Sequence, residues 1–377
     1  MTPTASPGTS TAVLVEYEAL VAFVAQAFGA YGLPAARAGV AAEALCYGDL
    51  SGHSSHGVAS LRRLHLALLE EGRADPGAEP QVVADRGAAV LLDARRALGL
   101  WAASEAMNLA AERAAACGIA MVSVRSGTHF GCAGHHALQA VRRGMVGIVA
   151  SNCGRQRIVP PPGGRLAMLG TNPLSIAAPA GEHPPFVLDM STTSVPTSRV
   201  RAAARAGLEV PEGWLEDDDG NAVTDPGGFD RGDAHLLWLG GGAGAAGYKG
   251  FGLGLAVEVL AALVSGAGLG AAPEALAGDG RPCGRDDDIG FFVAAIAPDA
   301  LRPGGDYHRE AGSLFATVLA CPPRHDGAPV RYPGWHEATR AEKHRRDGVP
   351  LTGAVYEDLG AVASRLALTL PPAVGAR

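Results

Sequence analysis

Hydrophobic spacing changes period twice along this chain, and that pattern restricts it to few architectures. Near the start, Leu20, Val21, Val24 and Phe28 recur at helical spacing until Gly29. Pro34 opens a second helix, which carries Ala41 to Leu45 into a loop at Asp49. A third run, Val58, Leu61, Leu64 and Leu68, predicts a helix that follows Ser55 and stops near Gly72, before the breaker Asp75-Pro76. From there the period shortens. Strands are expected at 81–83, 90–92, 119–124 and 146–150, with helices at about 100–116 and 133–142 between them. That is a βαβ order, which needs part of the sheet to be parallel. Further strands are expected at 175–178, 186–188 and 291–297, and a helix at 249–265. Helical spacing returns at 314–318 and 358–366. The expected fold is α/β: a mixed-sheet domain over 79–304, and a helical layer made by 13–78 together with 305–377. Residues 1–12, rich in Thr, Ser and Pro, read as a disordered tail.

Composition narrows the function classes. With 377 residues and 47% hydrophobic content the chain can bury one large core or two. A formal charge of −7 and the lack of a long basic tract argue against nucleic acid. The densest basic stretch, Arg340 to Arg346, contains Glu342 and reads as a solvated helix face. Six scattered cysteines without CxxC spacing suit reduced thiols in a cytoplasmic protein. The start lacks a basic, then apolar, signal pattern. The longest apolar run, Leu253 to Val264, is interrupted by Glu258 and is too short for a membrane helix, so no membrane partner is expected. His53 and His56 are three apart and His135-His136 adjacent, but no carboxylate sits at ligand spacing, so no metal is expected.

Chemistry concentrates in Asp49-Leu-Ser-Gly-His53-Ser-Ser55-His56-Gly57. A serine at a loop-to-helix junction can cap the helix, and a histidine in the first turn is held neutral by the positive helix end. Ser55 and His56 could be a proton donor with its tuning partner, or a cap beside a surface histidine. His129 stands at a strand end, where backbone could satisfy it or a ligand could meet it. Thr171-Asn172-Pro173 follows a tight glycine turn and offers donors. Asp189 closes a buried strand, where an isolated Asp is commonly a helix cap. Gly242-Ala-Gly244-Ala-Ala-Gly247 satisfies GxGxxG, yet no strand follows to present an acid, so a Rossmann reading fails on context.

Read in order, Ser55-His56-Gly57, Ser126-Gly-Thr-His129-Phe-Gly131, Leu169-Gly170-Thr171-Asn172-Pro173-Leu174, Phe186-Val-Leu-Asp189-Met190 and Gly247-Tyr-Lys249-Gly250-Phe-Gly252 resemble the malate/L-lactate dehydrogenase family of the non-Rossmann type. Tyr332-Pro333-Gly334 and Gly348-Val-Pro-Leu351 extend the match over nearly the whole chain. The resemblance implies a nicotinamide cofactor in a fold that is not Rossmann, and an active site where two subunits of a homodimer meet. It gives the proton-donor role to His56, with Ser55 in the relay, and sets His129 close to substrate and nicotinamide. It assigns Phe130, Gly131, Asp189, Met190, Ser191, Lys249, Pro333 and Gly334 to the cofactor and Thr171 and Asn172 to the substrate. NADPH is favoured over NADH, with Arg340 and Lys343 as phosphate partners. Three positions depart from the pattern. Ser60 stands where an arginine commonly holds the substrate carboxylate, His135-His136 where aromatics are common, and Arg199 where lysine is usual. The expected function is therefore NAD(P)H-dependent reduction of a C=O or C=N bond in a 2-oxo acid, cyclic imino acid or related biosynthetic intermediate. The alternative is an altered member that binds a ligand, or that acts on a substrate without a carboxylate. A hydrolase using Ser55 and His56 is disfavoured, because adjacent side chains are expected to diverge and no nucleophile elbow is present.

Overall fold

The computed structural model describes residues 12–242, 246–302, 304–324 and 327–375. Residues 1–11 of the expected tail and Ala243, Gly244 and Ala245 of the GxGxxG match lie outside the described residues.

The chain opens with β1 (Val13–Val15), α1 (Tyr17–Ala30) and α2 (Ala35–Ser51). Pro34 precedes the first turn of α2, and Gly52, at φ 89°, ends the helix in the left-handed conformation that glycine adopts without strain. The expected third helix is broken into short pieces. Ser54–His56 and Val58–Ser60 are 3-10 turns, Leu61–Leu66 is a π-helix, and only α3 (Ala67–Glu70) is α-helical. The apolar spacing was sound, but 3-10 and π turns keep the same face buried while shifting its register.

Strands β2 (Gln81–Asp85) and β3 (Ala89–Asp93) form a hairpin. α4 (Gly99–Cys117) then crosses to β4 (Ile119–Gly127), which pairs parallel with β3, as the βαβ order required. α5 (Ala133–Val141), β5 (Val146–Ser151), β6 (Leu174–Ala180) and β7 (His183–Met190) follow. Next come α6 (Thr197–Ala206), β8 (Leu215–Glu216), β9 (Ala222–Val223), α7 (Gly227–Arg231) and β10 (His235–Leu236). The last part holds α8 (Gly247–Val257), continued by a π-helix over Glu258–Leu263, then β11 (Ile289–Ile296), α9 (Pro298–Leu301) and α10 (Asp306–Leu319). α11 (Trp335–Asp347), β12 (Val349–Leu351) and α12 (Gly353–Leu366) close the chain.

Seven strands form one mixed sheet in the order β2-β3-β4-β11-β5-β6-β7, in which β3–β4 is the single parallel pair. β11 enters between β4 and β5, so the second βαβ-like unit does not close on itself. β1 pairs with β12, which ties the two ends of the chain together. α11 and α12 join the N-terminal helices, whereas α10, grouped with them in the sequence, lies on β6 and β7. One apolar core runs from Phe28 and Leu45 through Leu61, Leu98 and Met107 to Val122 and Phe291, so helical layer and sheet share it. A smaller core around Leu215, Phe229 and Trp238 packs the three-stranded sheet β10-β8-β9, whose polar turn at 217–220 reads from sequence as a plain connection.

Candidate active site

The strand registers bring the motifs to one end of the sheet. Gly127 at the end of β4 faces Ile289 at the start of β11, Ser151 at the end of β5 faces Phe291, and Leu174 at the start of β6 faces Met190 at the end of β7. His129, Asn152, Thr171, Asn172, Asp189, Met190 and Ser191 therefore follow or precede strands at a common edge.

The Ser-His-Gly segment reaches this edge from α2. A Cβ on Gly48 would lie 2.7 Å from His56 and Gly57 backbone, and one on Gly57 would lie 2.1 Å from an Asp49 carboxylate oxygen. Two glycines thus let the turn lie directly on the helix. Asp49, buried, accepts the Val58 N–H at 2.7 Å and fixes the chain just past His56. Burial pushes its carboxyl up to about 7, against the pull of that N–H. Sequence reading passed over Asp49 because its partner, the Val58 N–H, lies nine residues on and is a backbone group that no side-chain pattern marks.

Ser55 does not cap a helix. Its Oγ lies 3.0 Å from Nδ1 of His56, so the adjacent side chains meet where they were expected to diverge. The tight 3-10 turn makes this possible by bringing both onto one side. His56 is brought down to about 4 by burial, then by the neighbouring His129 and His53, not by a helix end. The His56 and His129 rings stack with centroids 5.9 Å apart and planes 23° apart. His129 Nδ1 accepts the Gly131 N–H at 3.2 Å, which leaves its ring proton on Nε2. Behind it stands His65, unforeseen from sequence, edge-to-face with His129 at 5.6 Å. His65 is fully buried and neither ring nitrogen has a partner, a situation that costs on the order of 1–3 kcal/mol per group.

The departures from the motif pattern have separate explanations. His136 is buried between Ser104 Oγ at 3.0 Å and the Phe130 carbonyl at 2.8 Å, so it anchors the Thr-His-Phe-Gly loop. His135 packs on Tyr47 and meets Gln139. Arg199 is exposed in the first turn of α6. Ser60 is buried and donates its hydroxyl to the Gly57 carbonyl at 2.7 Å, which commits it to its own turn.

Toward the other strands, Asn172 is wholly buried at φ 39° and donates to Glu258 at 2.8 Å and to the Gly254 carbonyl at 2.9 Å. It shapes the loop, and half-buried Thr171 is the member of the pair with a reachable side chain. Glu258 also accepts from Asn152 and from the Gly270 N–H, each at 3.2 Å. Its one sequence signal was that it interrupts an apolar run. Asp189 accepts the Gly134 N–H at 2.7 Å, reaching from β7 to the first turn of α5, whose own cap residue is Cys132, and it caps no helix that follows it. The Thr171 carbonyl accepts from the Thr192 N–H, and the Thr192 carbonyl sits against Gly250, so the Asp-Met-Ser and Tyr-Lys-Gly segments converge. Lys249 is exposed, its Nζ 5.9 Å from the Tyr248 ring.

Tyr332-Pro333-Gly334 is backbone stitching. Pro333 O accepts the Val187 N–H at 3.0 Å, and a Cβ on Gly334 would lie 2.7 Å from β7 backbone. Arg340 lies over Gly52, 3.7 Å from Glu337, which is itself 4.0 Å from His53. The loop after Asn152 is tied to its own chain, with Trp238 Nε1 donating to Pro160 O at 2.7 Å. A cleft of about 400 Å³ lies between α4 and β3 near Arg37 and Trp101, away from the histidines. Among the described residues no group of three His, Cys, Asp or Glu is placed to hold a metal ion, and no helix is long and apolar enough to cross a membrane.

The sequence profile described as malate/L-lactate dehydrogenase matches residues 15–360. The chain belongs to the malate/L-lactate dehydrogenase family. It is 32% identical over 338 residues to (2R)-3-sulfolactate dehydrogenase (NADP(+)) of Chromohalobacter salexigens, covering 89% of this chain and 94% of that one. It is 34% identical over 261 residues to Delta(1)-pyrroline-2-carboxylate/Delta(1)-piperideine-2-carboxylate reductase of Pseudomonas putida, covering 69% and 74%. The crystal structure of malate dehydrogenase from Entamoeba histolytica superposes with a TM-score of 0.87 at 26% identity, covering 96% of this chain and all of that one. Family membership makes this chain an NAD(P)-dependent oxidoreductase. Its donor set fits a nicotinamide cofactor: beyond Asp189-Met190-Ser191, the Ser194 and Ser198 hydroxyls are buried without partners, and Lys249 stands beside that segment.

Proposed function

We propose that this chain, as a homodimer, uses NADPH to reduce a C=O or C=N bond of a 2-oxo acid, cyclic imino acid or related intermediate. The observation that carries this reading is the stacked His56–His129 pair at the sheet edge, with Ser55 on Nδ1 of His56. When bound, the cofactor supplies the hydride. Ser55 fixes the ring of His56, leaving Nε2 to exchange a proton with the substrate. Held near 4, His56 is neutral at pH 7, the form that takes a proton from a hydroxyl or amine undergoing oxidation. In reduction, a bound anionic substrate supplies the opposite charge that lets the ring hold a second proton. His129, with a proton on Nε2, is a hydrogen-bond donor for the reacting oxygen or nitrogen. Thr171 faces the substrate, and Ser191, Lys249 and the 191–198 hydroxyls the cofactor.

The NADP(+) in a relative's name and the exposed cations Arg340 and Lys343 support NADPH over NADH. Pro333 and Gly334 serve the cofactor side by fixing α11, which carries both cations. Dimerisation is supported by the face of α8 and its continuation, where Leu255, Val259 and Leu263 are 39%, 46% and 58% exposed, an apolar stripe that a monomer would leave in water. The division sets 13–78 with 305–377 against 79–304, except that α10 lies on the sheet side, and the cytoplasm is the place of action.

One observation favours a second reading of the substrate. With the Ser60 hydroxyl committed to Gly57, no guanidinium stands at the carboxylate-anchoring position, which suits a substrate whose acid group is masked, or a chain that only binds its ligand. The test is NADPH and NADH oxidation with a panel of 2-oxo acids and cyclic imines, alongside cofactor titration by fluorescence and light scattering. Turnover with NADPH in a particle of twice the chain mass is expected. Cofactor binding without turnover of any panel member selects the second reading, and no cofactor binding overturns both.

A further inference from the structure

His65 has no part in the reaction as derived so far, yet it is the most costly side chain near it. It is fully buried, both ring nitrogens lack partners, and the apolar face of the Leu61–Leu66 π-helix offers positions where leucine would fill the space. A π turn re-aims side chains relative to an α turn, and this one turns an imidazole onto His129. The three rings form a row, with centroids 5.9 Å apart for His56 and His129 and 5.6 Å for His129 and His65. Their contacts differ in kind. His56 stacks on His129 at 23°, whereas His65 meets it edge-to-face at 63°, the arrangement in which the positive edge of one ring lies on the negative face of another.

We propose that His65 is a positioning residue, which holds the plane of His129 parallel to His56 and keeps His129 in the single neutral tautomer that carries its proton on Nε2. This rests on the reductase reading above. His129 Nδ1 is held only by the Gly131 N–H at 3.2 Å, a long bond that alone leaves the ring free to rock. The other titratable groups that act on the row are His53, beside His56, and Asp286, which acts on His129 and pairs with Arg73 at 2.5 Å. Burial and the neighbouring imidazoles hold His65 itself far below its ordinary value, so it stays neutral and meets His129 through ring contact rather than through a charge.

The test compares His65→Leu and His65→Phe with wild type. Leucine removes two unpaired nitrogens and the ring, so the melting temperature should hold or rise. kcat/KM for the carbonyl or imine substrate should fall roughly 10–100-fold, as a misplaced reacting group does, with cofactor Kd within twofold. Phenylalanine keeps the ring and should recover part of that loss. With ¹⁵N-labelled histidine, His129 in the wild-type protein saturated with NADPH should show one tautomer, and in His65→Leu a mixture. Unchanged kcat/KM, or an unchanged His129 spectrum, in His65→Leu overturns the proposal. If that variant does not fold, His65→Phe carries both measurements. Should wild type lack turnover altogether, the reductase reading falls, while the His129 spectrum still decides the role of His65.

Discussion

At Gly57 the side chain is missing for a measurable reason: the Asp49 carboxylate occupies the place a Cβ would take. The Ser-His-Gly signature therefore encodes a close approach of loop to helix, which was not legible in the sequence. His56 and His129 were singled out by their place in the ordered motifs, since alone each could as well be a surface or backbone-satisfied histidine. Asp49 and His65 were not, since their significance depends on what folds against them. His56→Asn should lower turnover by about 10²–10⁴-fold and leave cofactor affinity nearly unchanged, because it removes a general acid–base without touching the nucleotide. Steady-state kinetics with a parallel binding titration checks this, and full activity would move the proton transfer to His129. Ser60→Arg tests the missing anchor. One charge-assisted pair to a carboxylate is worth roughly 1.5–3 kcal/mol, or about one to two powers of ten in kcat/KM for simple 2-oxo acids. The Gly57 carbonyl loses its hydroxyl partner in that variant, so part of the gain is offset by stability.

Among the elements, most strands and helices stood near their expected positions, since alternation and helical spacing are local signals. The sheet order did not follow from them. β11 is inserted between β4 and β5 although it lies far along the chain, and nothing in its own residues encodes those neighbours. The two-residue strands β8, β9 and β10 are too short to show a period. The helix at 249–265 was expected, but its change to a π-helix at Glu258 was not. That wide turn coincides with a buried carboxylate bonding Asn172, Asn152 and the Gly270 N–H, which locks the helix to two loops of the active-site edge. Glu258→Ala would leave those donors unpaired in the core. It should destabilise the protein by roughly 2–4 kcal/mol, and Glu258→Gln by less, as read by urea denaturation. Because Asn172 adjoins Thr171, the alanine variant should also raise KM for substrate more than it lowers kcat. A fall in kcat alone would mean that the carboxylate does not serve the substrate loop.

For the molecule as a whole, burying so many imidazoles sets how stability responds to acid. His56, His65, His129, His135 and His136 are all held below the ordinary histidine value, burial being the first cause in each, with His56 and His136 at about 4. As pH falls through 6.5 the unfolded chain takes up protons that these folded residues refuse, so their contribution, complete above 6.5, is lost progressively toward 4. Three buried carboxyls oppose this. Asp49, raised to about 7, and Asp189 and Glu258, also raised, hold protons in the folded state that the unfolded chain has already released, so their effect favours folding as pH falls. The histidines outnumber the carboxyls, and each net proton is worth about 1.4 kcal/mol per pH unit. Stability should therefore rise between pH 4.5 and 6.5, ease down as Asp49 ionises through about 7, and level off above that. His135→Phe isolates one proton of this balance, because an aromatic ring can keep the contact with Tyr47, whose ring centroid lies 5.4 Å away, while the titrating group is removed. The slope of unfolding free energy against pH, from urea melts at fixed protein concentration, should then fall by about 1.4 kcal/mol per pH unit. An unchanged slope would mean that His135 is protonated in the folded protein, which its burial beside His136 argues against.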